Sequence, residues 1–125
     1  MNFNIEPNTQ AKLDSLEEFL HFNLYPLEEL FLNHQWDQLF PELENARKKV
    51  KKLNLWAPHM PESTGGTFTS LMNLALIGEV LGQSPLGHFV FGCQAPDAGN
   101  AELLHLFGTK EQKQNFLKPL VAGEI

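Results

Sequence analysis

Chemistry in this sequence would have to start from histidine, cysteine or clustered lysine. The five histidines are His21, His34, His59, His88 and His105. None falls into a His-x-x-x-His or His-Glu-x-x-His pair, so the spacing that puts two imidazoles on one metal is absent. Cys93 is the one cysteine, which excludes an internal disulfide and a thiolate cluster. Cys93 with His88 or His105 could be imagined as a thiol–imidazole pair. No third group is indicated to orient the base, and a lone small thiol more often packs as an inert apolar group. There is no Gly-x-Ser-x-Gly and no phosphate-cradling Gly-x-x-x-x-Gly-Lys. Arg47, Lys48, Lys49, Lys51 and Lys52 hold five of the nine basic residues. They read as a solvated helix face. The sharper reading is a patch facing an anion, a phosphate-rich ligand included, although no aromatic residue interleaves them as base stacking would require.

The elements that would position these groups are helical almost throughout. Leu13, Leu16, Phe19, Leu20, Leu24, Leu27, Leu30 and Phe31 recur every three or four residues, one face of an amphipathic helix. Pro26 predicts a kink or break near Leu24–Tyr25. A second helix is expected from Pro41, a residue suited to a first helical position, with Leu43, Ala46, Val50 and Leu53 inward and Glu44 placed to meet Lys48. Asn54 to Thr67 reads as a loop, punctuated by Pro58, Pro61 and Gly65-Gly66, whose glycines suggest special backbone angles or close approaches. A third helix, about Thr69 to Leu81, is apolar on nearly all sides and therefore expected to be buried, with Gly82 just past its end at positive φ. Two further segments, about Leu86–Gln94 and Asp97–Phe107, are split by Pro96 and stopped by Gly108. A last helix opens on the capping box Thr109-Lys110-Glu111-Gln112, shows Phe116, Leu117 and Leu120 on its apolar face, and is limited by Pro119. The expected class is all-α, a bundle of about five or six helices in a single domain, 1–125.

The chain is 125 residues long, 42% hydrophobic, with a net charge of -6 and a mean hydropathy of -0.23. That composition suits a soluble domain and argues against general nucleic-acid binding. No run reaches the roughly 18 apolar residues of a membrane span. Met1 to Pro7 carries no basic residue and no signal-peptide pattern, so a cytoplasmic location is expected.

The stretch Phe91 to Ile125, FGCQAPDAGNAELLHLFGTKEQKQNFLKPLVAGEI, resembles the acyl-CoA dehydrogenase family, most of all members with Cys-Gln-Ala-Pro-Asp-x-Gly-Asn. Gly108-Thr-x-Glu-Gln-Lys, Leu117-x-Pro-Leu and Gly123-Glu-Ile are similar to family-wide patterns. So are Glu79-Val80-Leu81-Gly82 upstream, the Leu55-Trp-Ala-Pro58 and Gly65-Gly66 loop, and Leu24-Tyr25-Pro26 in the first helix.

The resemblance implies the N-terminal helical domain of a three-part enzyme. The other parts are a middle β-domain and a C-terminal helical bundle. It implies FAD as the cofactor that takes a hydride from the β-carbon of an acyl-CoA, and a carboxylate base that takes the α-proton. The Thr-Glu-Pro flavin motif is not in this sequence, and the base belongs to the C-terminal part. The reading is therefore a domain truncated before the FAD-binding part, inactive alone, with no catalytic, cofactor-binding or metal residue of its own. Glu79, Glu102 and Glu111 read as helix-surface or capping groups. Phe91, Ala95 and Gly99, at i, i+4 and i+8, would line the acyl pocket from one face, provided the helix survives Pro96. Apolar helices left uncovered imply self-association or docking on a dehydrogenase partner. The alternatives are a stand-alone helical binding module, or an interaction adaptor working through the basic cluster around Lys48–Lys52.

Overall fold

A computed structural model describes residues 4–125. Part of the N-terminal stretch read for a targeting signal, Met1 to Phe3, lies outside the described residues. The described residues are helical and hold no strand. The helices are α1 (Pro7–Phe19), α2 (Glu28–Leu32), α3 (Trp36–Lys52), α4 (Leu71–Leu81), α5 (Gly87–Val90), α6 (Asp97–Phe107), α7 (Lys110–Gln112) and α8 (Lys118–Ala122). None is long and apolar enough to cross a membrane.

The apolar spacing places α1 correctly: Leu13, Leu16, Phe19, Leu20 and Leu24 are all buried. At Pro26 the chain passes through a π turn, Leu20–Leu24, and a 3-10 turn, Tyr25–Leu27, before α2 resumes. The same device recurs at Pro119, where the π turn Lys113–Leu117 joins α7 to α8 without a break. A proline cannot donate to the carbonyl four residues back, and its ring crowds that carbonyl. Widening the preceding turn to five-residue bonds, Tyr25 N–H to Leu20 O and Lys118 N–H to Lys113 O, removes the conflict. Pro119 therefore does not end its helix.

Two other expectations fail on register. Pro41 does not start a helix; α3 begins at Trp36 and carries Pro41 inside its first turns. Loss of one hydrogen bond is tolerated there because the inward positions Leu39, Leu43, Ala46 and Val50 are buried on both sides of it. Gly82 caps α4 with φ -68°, not a positive angle. The N-terminus of α4 is capped by Ser70, whose Oγ accepts from the Asn73 N–H at 3.1 Å. The capping box forms as expected, Gln112 N–H to Thr109 Oγ1 and Thr109 N–H to Gln112 Oε1. α6 stops at Gly108.

Packing gathers α1 against α4, α3 against α5, and α6 against the Lys113–Leu117 turn and α8. The loop after α3 closes the core. Trp56 is buried in it and donates Nε1–H to the Val121 carbonyl at 2.7 Å, fixing α8 to the loop. Ala57 N–H reaches the Phe91 carbonyl at 2.9 Å. Gly65 has φ +95°, and a Cβ on Gly66 would fall onto the Met60 carbonyl, so both glycines are required as the sequence suggested.

Candidate functional site

The proposed lining residues do not share a helix face. After α5 the chain turns at Phe91 and Gly92 and becomes helical again only at Asp97. Pro96 stands at the N-cap of α6, so the condition behind the i, i+4, i+8 argument fails. Phe91 is 0% exposed and meets Phe19 edge to face at 5.3 Å; it belongs to the core. Ala95 and Gly99 are exposed, and nothing lies within 4 Å of where a Gly99 Cβ would be.

A different stripe takes their place. Within α6, Ala101 is buried, while Gly99, Leu103, Leu106 and Phe107 face outward. The spacings of four and three put these outward residues along one side of the helix. Leu103 is 59%, Leu106 66% and Phe107 77% exposed. The first turn of α4 also exposes apolar residues, Leu71 at 76% and Met72. Only the C-terminal half of α4 is sunk in the core, through Ile77, Val80 and Leu81. Sequence reading missed Leu103, Leu106 and Phe107. The signal was an apolar excess in Leu103-Leu104-His105-Leu106-Phe107, more than one inward face can use.

Beside this stripe lies a pocket of about 310 Å³ lined by His59, Met60, Phe68, Glu102, His105 and Leu106. Both ring nitrogens of His59 are buried without a hydrogen-bond partner. Burial pushes the His59 pKa down, opposed by the charge of Glu102. The neutral imidazole is therefore the form the fold favours.

The remaining chemistry-bearing residues are tied into the structure. Cys93 donates weakly to the backbone carbonyl of His88 at 3.7 Å, and burial pushes its thiol up to about 12. It is not poised as a nucleophile. Glu44 meets Arg47 at 3.8 Å rather than Lys48. Arg47 lies over the rings of Trp56 and Phe89, and Lys51 over Trp56, while Lys51 and Lys49 bond to Ala122 O and Asn23 Oδ1. Three of the five basic residues near the end of α3 thus hold the protein to itself. Among the described residues no group of three His, Cys, Asp or Glu could hold a metal ion.

Comparison with known proteins gives one consistent result. The family described as Acyl-CoA dehydrogenase, N-terminal domain, matches residues 7–124. Acyl-CoA dehydrogenase family member 11 of Gallus gallus is 36% identical over 93% of this chain, which corresponds to 16% of that protein. Acyl-CoA dehydrogenase family member 10 of Mus musculus is 33% identical over 97% of this chain and 12% of that protein. A solved structure described as an acyl-CoA dehydrogenase of Mycobacterium abscessus superposes with TM-score 0.88 and 30% identity, covering 98% of this chain and 33% of that one.

Proposed function

Since the chain belongs to the acyl-CoA dehydrogenase family and matches its N-terminal domain, we propose that it supplies one wall of an acyl-chain pocket in an FAD-dependent enzyme that dehydrogenates acyl-CoA thioesters. The observation that carries this reading is the outward apolar stripe of α6 and the exposed start of α4. Exposed apolar area of this kind marks an interface or a ligand-binding surface. Ala95 and Gly99 lead into the stripe with small side chains, which leaves room for methylene groups.

The hollow beside Trp56 does not fit a flavin. It is bounded by Lys51 and Lys118, and its Thr64 and Thr67 hydroxyls already donate to Pro61 O and Trp56 O. It offers neither two apolar walls for a flat ring system nor uncommitted hydroxyls for its polar edge. In this reading FAD and the carboxylate base belong to other parts of the enzyme, so the chain alone is inactive. Its own contribution is to orient the acyl chain and exclude water.

Sedimentation and binding of an apolar dye test the uncovered wall. The purified chain is expected to self-associate as its concentration rises and to bind the dye. Replacing Leu103 and Phe107 with lysine should abolish both effects. A monomer at high concentration that binds no dye would contradict the proposal.

A further inference from the structure

Between Leu13 and Ala46 the chain carries eight aspartates and glutamates and no lysine or arginine, more negative charge than the whole chain's net -6. The same stretch holds Phe22, Trp36 and Phe40, exposed at 67%, 41% and 54%. Lysine and arginine are gathered elsewhere, at 47–52 and 110–118. The α2–α3 hairpin is therefore both acidic and aromatic.

A pocket of about 160 Å³ opens on it. Trp36, Leu39 and Phe40 line it from one face of α3, at i, i+3 and i+4. Phe31 of α2 and Phe89 of α5 complete its aromatic wall, and Gln94 is the one lining residue that is neither apolar nor aromatic. The exposed indole is held in place. Phe31 meets Trp36 edge to face at 5.7 Å, His34 stacks on it at 5.7 Å with the rings 7° from parallel, and Phe40 lies against it at 6.1 Å. His34 reaches that stack from a left-handed backbone, φ +55°. A large apolar surface fixed before binding loses little side-chain entropy when it is covered.

The volume decides the size of the occupant. Small-molecule sites enclose about 300–1,000 Å³, so this pocket takes one bulky side chain and no more. Charge decides what surrounds that side chain. Glu29, Asp37 and Glu42 are exposed on the two helices that build most of the pocket, and among the described residues they take part in no ion pair. Asp37 and Glu42 flank the lining face of α3 on its two sides. Carboxylates beside an apolar anchor pocket favour a cationic segment and repel an anionic membrane. Among the described residues no strand offers an edge to an extended peptide. The segment must therefore satisfy its own backbone, as a helix does.

We propose that the α2–α3 corner docks a basic amphipathic helix of a partner protein. One leucine- or phenylalanine-sized side chain fills the pocket, and lysine or arginine lies beside Glu29, Asp37 and Glu42. No lining residue belongs to α6, so the site is independent of the acyl-chain wall.

A synthetic helical peptide with leucine on one face and lysine on the other serves as the probe, titrated into the isotopically labelled chain and followed by NMR. The Trp36 indole N–H signal is expected to shift and saturate, together with amides of residues 31–43 and 85–94, while the Trp56 indole, bonded to Val121, stays. Trp36→Ala should weaken binding at least about ten-fold, and Asp37→Asn with Glu42→Gln about five-fold. Leu103→Lys with Phe107→Lys, on the α6 stripe, should change it less than about two-fold. Should Trp36→Ala fail to fold, Phe40→Ala replaces it with an expected loss of about five-fold. A Trp36 signal that does not move, shifts centred on α6, equal binding of a peptide with glutamate in place of lysine, or movement of the Trp36 signal by vesicles of anionic phospholipid would each overturn the proposal.

Discussion

At Gly92 the backbone takes φ +66°, and a Cβ there would stand 2.5 Å from Cζ2 of Trp56. Gly123, at φ +70°, meets the same ring. The indole is thus held between two glycine backbones while its Nε1 bonds to Val121. Gly92→Ala combines a strained backbone angle with a clash against a buried ring. It should destabilise the fold by about 2–4 kcal/mol, measured by urea unfolding. A loss below about 0.5 kcal/mol would show that the ring is not held as described. His59 belongs to this scale too. Its pKa is lowered on folding from an ordinary 6.5, so the unfolded chain takes up the proton first. The stability contributed by neutral His59 is complete above pH 6.5 and is lost as pH falls below it. Unfolding measured between pH 7.5 and about 5 should show a decline that His59→Leu reduces. An unchanged slope in the variant would assign the decline to other groups. Trp56 and His59 were not legible as special positions in the sequence. Their roles come from partners more than sixty residues away for Trp56 and from an apolar surround for His59, and neither leaves a local pattern.

Among the elements, α6 decides where the acyl-facing surface lies. Gly99 sits inside it with open space beyond its Cα and no positive φ. Gly99→Ala should therefore stabilise the chain by about 0.5–1 kcal/mol, through helix propensity alone, read as a higher urea midpoint. A loss of stability would mean that the site is not open. The helical class, the capping box, the stop at Gly108 and the inward residues of α1 and, except for Leu53, of α3 could be read directly, because they depend on spacing and on side chains three residues apart. Leu53, expected inward, is 57% exposed because α3 ends one residue before it. Pro96 marked the start of α6 at Asp97 and Pro26 the irregular turns around Leu24–Tyr25 as expected, whereas the way Pro41 and Pro119 are accommodated could not be read. Pro119 is absorbed by a π turn and Pro41 by a helix that started five residues earlier, so the consequence of each depends on a register that composition does not encode. The lining argument failed for the same reason. It extrapolated one helical phase across Pro96, and the residues that do share the outward phase of α6, Gly99, Leu103 and Phe107, lie wholly beyond it.

For the whole molecule, the helices bury one core cluster and leave an apolar stripe on α6 exposed. Family membership was legible from motifs in the C-terminal part of the chain, whereas the stripe needed the burial pattern of the fold. The chain spans about a third of the Mycobacterium abscessus structure that it superposes on, so the function proposed for the stripe is that of a wall within a larger enzyme. The most direct measurement is the chain-length profile of an acyl-CoA dehydrogenase in which this chain supplies the N-terminal domain, comparing the unmodified chain with Gly99→Leu. The account predicts that kcat/KM for long acyl chains falls about ten-fold in the variant, equivalent to about 1.4 kcal/mol, while that for short chains is retained. Equal values for long and short chains before and after the substitution would contradict the placement of the acyl chain along α6.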